Sequence, residues 1–225
     1  MLNWTLAQLP DRKPIVGEAV RLEPLDPSRH ANQIYSAVVG ADELWHYLPY
    51  GPFDSEPAFG AWLADCAAST DPLFYAIVDH ATDVAKGVGS YLRMSPQHGV
   101  IEIGHLLFSP LLQRTRHATE AIYLWSRHAF DALGYRRLEW KCNAANLPSR
   151  RAAERFGFTF EGVFRQHMVV KDRNRDTAWY SIIDGEWPAR RAAFEAWLSS
   201  DNFDHDGLQR RSLADLRDGI EAGAD

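Results

Sequence analysis

The sequence predicts an α+β protein, in which a mixed, mostly antiparallel central sheet is flanked by helices and followed by a C-terminal helical extension. Three observations predict this fold class. Short segments of alternating apolar and polar residues are bounded by turn residues, segments with helical spacing lie between them, and one strand–helix–strand unit follows a run of strands joined by short turns. The 225 residues, of which 46% are hydrophobic, can bury one sizeable core, so we expect a single domain.

Proline and glycine positions separate the predicted elements. Pro27 lies where the first turn of a helix accepts proline, and Gly134 and Gly157 lie where helices commonly end. The helix after the third meander strand should lead through a right-handed crossover into a parallel strand. In chain order we expect a strand at 16–25, helices at 28–39 and 55–68, meander strands at 74–79, 87–93 and 100–108, a helix through 118–133, a strand at 136–142, a helix at 146–155, hairpin strands at 158–170 and 177–183, and a helix at 188–199.

The last 25 residues differ in charge from the rest of the chain. Seven acids and three bases lie in 201–225 and carry −4 of the total charge of −6, so the remaining body is nearly balanced. Ser212 and Asp215 resemble a capping box, and Leu213, Leu216 and Ile220 then line one helical face. We therefore divide the chain into a main domain at 1–199 and an acidic tail with a short amphipathic helix at 200–225. The tail helix could pack on its own domain or on a second subunit.

Composition excludes several classes of function. The balanced body argues against nucleic acid as a partner, and no window approaches the roughly 20 apolar residues of a membrane span. The start of the chain does not resemble a secretory signal. Cys66 and Cys142 lack a metal-type CxxC spacing and are expected to be reduced, buried thiols. We expect a cytoplasmic protein, monomeric or homodimeric, that acts without a metal, a membrane or nucleic acid.

The strongest local feature is the segment 113–120, which lies between a strand and a helix. A helix N-terminus exposes unpaired N–H groups and a partial positive charge, so it suits a phosphate group. Arg114 and Arg116 would add full charges, and Thr115 and Thr119 could donate hydroxyl groups. The alternative is an ordinary strand-to-helix turn capped by Thr115 or Thr119, and the segment alone does not decide between the two.

Four segments in a fixed order favour the phosphate-binding interpretation of this loop. They are Glu102-Ile103-Gly104-His105, the loop 113–118 with Thr119-Glu120-Ala121, Asn146-Leu147-Pro148-Ser149, and Gly157-Phe158 followed by Glu161-Gly162 and Arg165. From residue 16 to residue 187 the chain thereby resembles the GCN5-related N-acetyltransferase (GNAT) superfamily, in the branch of the ribosomal-protein and aminoglycoside acetyltransferases. That branch has E-I-G-Y, Q/R-x-x-G-x-G/A with T-E-A, N-x-x-S and G-F…E-G…R at these places. One departure is Arg116, which occupies the position of the first loop glycine.

The resemblance implies acetyl-CoA as cosubstrate and an amine as acceptor. Backbone groups of 106–108 would hold the pantetheine arm, backbone N–H groups of 114–119 the pyrophosphate, and Asn146 the pantetheine or thioester region. Arg116 would either keep a right-handed backbone and add charge to the loop, which we favour, or weaken the binding of the cofactor. The cofactor-binding residues implied are Leu106, Leu107, Phe108, Gln113, Arg114, Thr115, Arg116, His117, Ala118, Thr119, Asn146 and Ser149. Asn146 and Ser149 also suit a helix cap, and both roles can hold together.

Transfer to an amine requires a group that accepts its proton. Glu102, on the strand that leads into the site, is the first candidate for this base, and His105 is the second. Their alternatives are a solvent-facing strand carboxylate and a packing residue. Ser149 would lie near the leaving sulfur. Glu120, in the first turn of a helix, is interpreted as structural.

The acceptor side is less well defined by the sequence. Trp45, His46, Tyr47, Tyr50 and Phe53 form an aromatic loop, which in the resembling family walls the acceptor pocket. Arginines and a histidine of the last hairpin could meet an acidic acceptor, or could be plain surface charge; they are Arg165, His167, Arg173 and Arg175. We expect transfer of an acetyl group to a primary amine of a small molecule or of a protein N-terminus. The alternatives are a non-catalytic CoA-binding module and a transferase that uses a longer acyl-CoA such as succinyl-CoA.

Overall fold

The computed structural model describes residues 4–223 and has the predicted α+β architecture. One eight-stranded sheet has the strand order β1-β2-β3-β4-β5-β6-β8-β7. The β5–β6 pair is parallel and the other neighbouring pairs are antiparallel. The strands are β1 (Ile15–Val16), β2 (Val20–Pro24), β3 (Leu73–Asp79), β4 (Ala85–Ser95), β5 (Val100–Phe108), β6 (Arg137–Asn143), β7 (Thr159–Val170) and β8 (Arg173–Ile183).

Six α-helices cover the sheet. They are α1 (Pro27–Val38), α2 (Glu56–Ala68), α3 (Arg116–Arg127), α4 (Leu147–Arg155), α5 (Trp187–Leu198) and α6 (Leu213–Ala222). Side-chain caps fix most of their starts, because each capping oxygen accepts a backbone N–H of the first turn that has no partner within the helix. The capping residues are Asp26 for α1, Ser55 for α2, Thr115 for α3, Asn146 for α4 and Ser212 for α6.

The observed elements follow the predicted order with three local differences. The single strand expected at 16–25 is two short strands joined by a tight turn at Gly17. The helix expected through 118–133 changes after Arg127 into a π-helical turn, His128–Ala132. The expected aromatic loop, which includes Trp45 and His46, begins in a 3₁₀ turn, Asp42–Trp45. Each difference changes local geometry and leaves the layer architecture as predicted.

Two apolar clusters lie on opposite faces of the sheet. The larger contains buried residues of α3 and α5 against one face, and the smaller contains those of α1 and α2 against the other. Leu213 and Leu216 of α6 are buried in the larger cluster, so the tail helix docks on its own domain. None of the helices in 4–223 is both long and apolar enough to cross a membrane.

Glu120 explains why the first predicted strand is interrupted. Its carboxylate, on the buried side of α3, accepts the backbone N–H groups of Glu18 at 2.5 Å, Ala19 at 2.9 Å and Val20 at 3.1 Å. The turn approaches this carboxylate so closely that a Cβ on Gly17 would lie 2.4 Å from Glu120 Oε1. The structural role expected for Glu120 is therefore that of an acceptor for three backbone donors between β1 and β2.

Glu120→Gln should lower the free energy of unfolding by about 2 kcal/mol, because an amide nitrogen cannot accept the N–H groups that its oxygen accepted. Urea unfolding followed by tryptophan fluorescence measures the change. Glu43→Gln, at an exposed carboxylate without a side-chain hydrogen bond, is the control and should be neutral. Equal stability of the two variants would show that the turn does not need this carboxylate.

Candidate active site

The candidate site is a cleft where two parallel strands separate. β5 and β6 are paired only from Val100 with Arg137 to Ile103 with Trp140. Beyond Ile103, two residues of β5, His105 and Leu106, lie opposite the single Gly89 of β4, which is a β-bulge, and His105 has φ 52°. The edge of β5 at 104–108 therefore has no strand partner on the side of β6. An extended ligand could add to this edge as a strand would.

The N-terminus of α3 follows β5 at the wide end of the cleft. Thr115 caps the helix, and the preceding Arg114 has φ 61°. No hydrogen bond within 4–223 involves the backbone N–H groups of 114–117. Four unpaired donors at the positive end of a helix form a site for an oxyanion such as a pyrophosphate. Position 116 does not require glycine, because Arg116 is the first residue of α3 and has a right-handed helical backbone.

Several residues of this segment already have hydrogen-bond partners within the described residues. Thr119 is 1% exposed, and its hydroxyl accepts from Arg155 at 3.1 Å. The hydroxyl of Thr115 donates to Leu112 O at 2.6 Å and caps the N–H of Ala118. Neither the Thr119 hydroxyl nor the Ala118 N–H is left to contact a ligand. We therefore exclude Thr119 from the candidate phosphate site and keep only the backbone of Thr115.

The side chain of Arg116 also departs from expectation. Its Nη2 donates to Leu198 O at 2.6 Å, and its guanidinium lies 4.2 Å from the centre of the Phe203 ring. The charge expected to face the phosphate loop is therefore directed to the C-terminal segment. Gln113 is engaged as well, since its side-chain amide donates to Phe108 O at 2.9 Å.

The start of α4 forms the second wall of the cleft. Asn146 Oδ1 accepts the backbone N–H of Ser149 at 3.1 Å, which is the capping role expected for this pair. Ser149 Oγ accepts the indole N–H of Trp140 at 3.0 Å and lies beside the thiol of Cys142. Burial raises the pKa of Cys142, so this thiol is protonated at neutral pH. The hydroxyl of Ser149 thus accepts from Trp140 and faces the Cys142 sulfur.

Glu102 lies on the floor of the cleft and is 3% exposed, so it is not the solvent-facing carboxylate of the alternative interpretation. Its Oε2 binds Arg93 Nη1 at 2.7 Å and Lys141 Nζ at 2.9 Å. The other oxygen, Oε1, has no hydrogen bond within the described residues and lies 3.5 Å from the position that a Cβ on Gly104 would take. One oxygen is therefore held by cations, while the second faces the part of β5 that leaves β6.

His105 projects from the bulge beside the aromatic loop. Its Nδ1 forms a 2.8 Å hydrogen bond with the hydroxyl of Tyr50, and the two rings stack at 5.8 Å. Burial lowers the pKa of His105 to about 4, and the charges of Arg93 and Arg175 act in the same direction. The imidazole is neutral at pH 7, but it binds a proton weakly. The Nδ1 of His105 is already bonded to Tyr50, whereas Glu102 Oε1 has no hydrogen bond within the described residues, so Glu102 remains the first candidate for the base.

The aromatic loop is attached to both sides of the cleft. Tyr47 donates its hydroxyl hydrogen to Ala145 O, just beyond β6, at 3.0 Å. Lys171, at the tip of the β7–β8 hairpin, donates to the carbonyls of Trp45, Tyr50 and Gly51 at 2.9, 3.1 and 2.7 Å. The loop thus spans the cleft on the side of α1 and α2. Through Tyr50 the loop contacts His105, so an acceptor could bind between this loop and β5.

Sequence reasoning missed several residues of this site. Arg93 and Lys141 hold Glu102, and Lys171 holds the loop. The alternation of Glu139 and Lys141 along a predicted strand placed both on one face and could have indicated Lys141. No sequence pattern indicates Lys171, because its three acceptors are more than one hundred residues away. In 4–223, the structure contains no group of three His, Cys, Asp or Glu side chains arranged to hold a metal ion.

Comparisons with known proteins identify relatives. A family model described as an acetyltransferase (GNAT) domain matches residues 19–159. A GCN5-related N-acetyltransferase from Brucella melitensis is 48% identical, with a TM-score of 0.94 over 96% of this chain and 99% of that chain. A GNAT-family structure from Chromobacterium violaceum is 49% identical, with a TM-score of 0.79 over 84% and 94%. The microcin C7 self-immunity acetyltransferase MccE, solved with acetyl-CoA and AMP, shares the fold at 19% identity, with a TM-score of 0.67 over 78% and 98%. No curated protein matches the chain significantly.

Lys171→Met should free the aromatic loop, because three carbonyl groups lose a charged donor at once. We expect amide hydrogen exchange at 45–51 to accelerate about tenfold or more, with little change in the sheet. Exchange followed by mass spectrometry measures this. Lys13→Met, at a lysine with 79% side-chain exposure, is the control. Unchanged exchange in the loop would mean that aromatic packing alone holds it.

Proposed function

The chain belongs to the acetyltransferase (GNAT) family, and we propose that it transfers an acetyl group from acetyl-CoA to a primary amine of a small molecule or of a protein N-terminus. The observation that carries the proposal is the cleft between β5 and β6. One wall is a strand edge without a partner, and its wide end carries the four unpaired N–H groups at the start of α3. The presence of acetyl-CoA in MccE, which has the same fold, supports this choice of cosubstrate.

The cleft fits an extended, phosphate-bearing cosubstrate. Backbone groups of Leu106, Leu107 and Phe108 would bind the pantetheine arm in the manner of an added strand. The backbone N–H groups of 114–117 would bind the pyrophosphate. Asn146 and Ser149 at the start of α4 would lie beside the thioester end. Acetyl-CoA would supply a thioester, whose carbonyl carbon is attacked by the neutral amine while the C–S bond breaks.

The residues of the cleft would accept the amine proton and stabilise the charges that develop during the transfer. Glu102 would accept the amine proton on Oε1, directly or through a water, while Arg93 and Lys141 hold Oε2 in place. A backbone N–H near Leu107 would stabilise the negative charge on the carbonyl oxygen. Ser149 would donate its hydroxyl hydrogen toward the leaving sulfur, since its oxygen already accepts from Trp140. His105, neutral at pH 7, would line the acceptor space with Tyr50.

A thiol-release assay with acetyl-CoA and a panel of amines tests the proposal. We expect CoA release that depends on both the protein and an amine, together with an acetylated amine in the mass spectrum. Succinyl-CoA in a parallel series tests the longer acyl group. Tight CoA binding without turnover of any amine or acyl-CoA would contradict the proposal and favour a non-catalytic CoA-binding module.

Glu102→Gln should lower kcat/KM at pH 7 by about 10²-fold or more, because the amine proton loses its acceptor. The rate should recover in part at higher pH, where more of the amine is already neutral. Glu139→Gln is the matched control. Glu139 also binds Lys141, at 2.6 Å, and is 7% exposed, so this variant weakens the same ion-pair network without removing the proposed base. The same loss and pH profile in both variants would make Glu102 structural.

A further inference from the structure

The face of the sheet that carries Glu102 has more positive charge than its own acids neutralise. Five ion pairs run across this face in one chain: Arg93–Glu102, Glu102–Lys141, Lys141–Glu139, Glu139–Arg137 and Arg137–Glu161. This network contains three cations and three anions and is therefore balanced. Arg175 is a further cation on the same face and takes no part in the network.

Arg175 lies on β8, whose alternate residues face opposite sides of the sheet. Ala178 and Tyr180 are buried in the core under α3 and α5, so Arg175 and Trp179 lie on the other face, that of Glu102. Burial lowers the pKa of Arg175, which shows that the guanidinium is partly desolvated. Its charge acts on both Glu102 and His105. Arg175 lies two residues beyond the last β6–β8 pair, Asn143 with Thr177, and so at the end of the sheet where β5 and β6 separate.

The described residues provide no acceptor for this guanidinium. No hydrogen bond or salt bridge within 4–223 involves the Arg175 side chain, and its Nε is buried without a partner. Trp179 Nε1, on the same strand and face, is also buried without a partner. Leaving a buried N–H donor unpaired costs about 1–3 kcal/mol, and a charged donor costs more. Two such donors beside one cleft therefore indicate a ligand that accepts hydrogen bonds.

The other basic residues of the hairpin do not share this position. Arg165 and Arg173 are exposed, and the Nδ1 of His167 is within 3.0 Å of Thr177 Oγ1. Of the four residues that the sequence offered for an acidic acceptor, only Arg175 combines burial, a free donor and proximity to Glu102. Its fork of N–H groups matches the two oxygens of a carboxylate or the oxygens of a phosphate.

We propose that the acceptor amine carries an oxyanion, a carboxylate or a phosphate, which is bound by Arg175 and Trp179 while its amine faces Glu102. This inference rests on the proposed function and names the substrate class of the same site. It predicts that strongly cationic polyamines are poor acceptors, because Arg175 adds a positive charge to this face that the ion-pair network does not neutralise. The negative charge on the acceptor would complete the ion-pair balance of the sheet face.

Calorimetric binding to the protein–CoA complex tests this proposal without requiring turnover. Each pair of probes compares an amine that carries an anionic group with an analogue that lacks it: 4-aminobutyrate against 4-aminobutanamide, and phosphoethanolamine against ethanolamine. We expect one of the two probes with an anionic group to bind about tenfold or more tightly than its analogue. That preference should disappear in Arg175→Gln and remain in Arg173→Gln, the exposed arginine of the same strand. The pair of probes that shows the preference identifies the recognised group as a carboxylate or a phosphate.

Trp179→Phe provides a second variant, which removes the N–H donor but keeps a ring beside Lys141 and Phe164. It should weaken the anionic probe alone. No preference for either anionic probe in the wild-type protein overturns the proposal, and so does an Arg175→Gln variant that loses CoA affinity while keeping the preference. Anion-selective binding without turnover of any amine would support this proposal and contradict the proposed function. Turnover without anion-selective binding would contradict this proposal and support the proposed function.

Discussion

The early end of the β5–β6 pairing is the constraint on which the site depends. Four residues of each strand are paired, and the bulge at His105 then redirects β5. Because the strands are parallel, their carboxyl ends diverge at the same edge, and the helices that follow them, α3 and α4, both begin there. Two helix N-termini and two unpaired strand edges therefore face one opening. Backbone groups exposed in this way must bind water or a ligand, so the fold itself provides the candidate site.

One face of the sheet has an apolar part and a charged part. On the side of α1 and α2, helices cover β3 and β4, while β6 and β8 carry the ion-pair network. Charged residues such as Lys141, with 5% side-chain exposure, are buried there by one another and by the Trp179 ring. A buried network of this kind adds little net stability, but removing one partner is costly. It therefore holds Glu102 in a fixed orientation at the point where the strands separate.

Much of the fold follows from local sequence signals, since alternation, prolines and caps are properties of neighbouring residues. The start of α4 at Asn146 and the capping box at Ser212 and Asp215 are examples of predictions that the structure confirms. What the sequence could not provide are contacts between distant segments. The sequence predicts a structural role for Glu120, but the three backbone N–H groups that donate to its carboxylate lie about one hundred residues earlier. The contacts of Lys171 and Arg175 depend on which loop and which face of the sheet the hairpin packs against. These neighbours are set only when the whole sheet is assembled.

Arg116 shows how a departure from a family pattern can be understood through a distant segment. A glycine at this position would leave the loop without a side chain, whereas Arg116 has a helical backbone and a guanidinium bound to Leu198 O and Phe203. Arg155 makes a similar bridge, from the Thr119 hydroxyl to the Trp197 ring. The end of α5 and the segment after it thus supply partners for both arginines, Leu198 O and the Phe203 ring for Arg116 and the Trp197 ring for Arg155. Arg116 and this C-terminal segment therefore form one structural feature, which fixes the start of α3, where the N–H groups of 114–117 have no partner within the described residues.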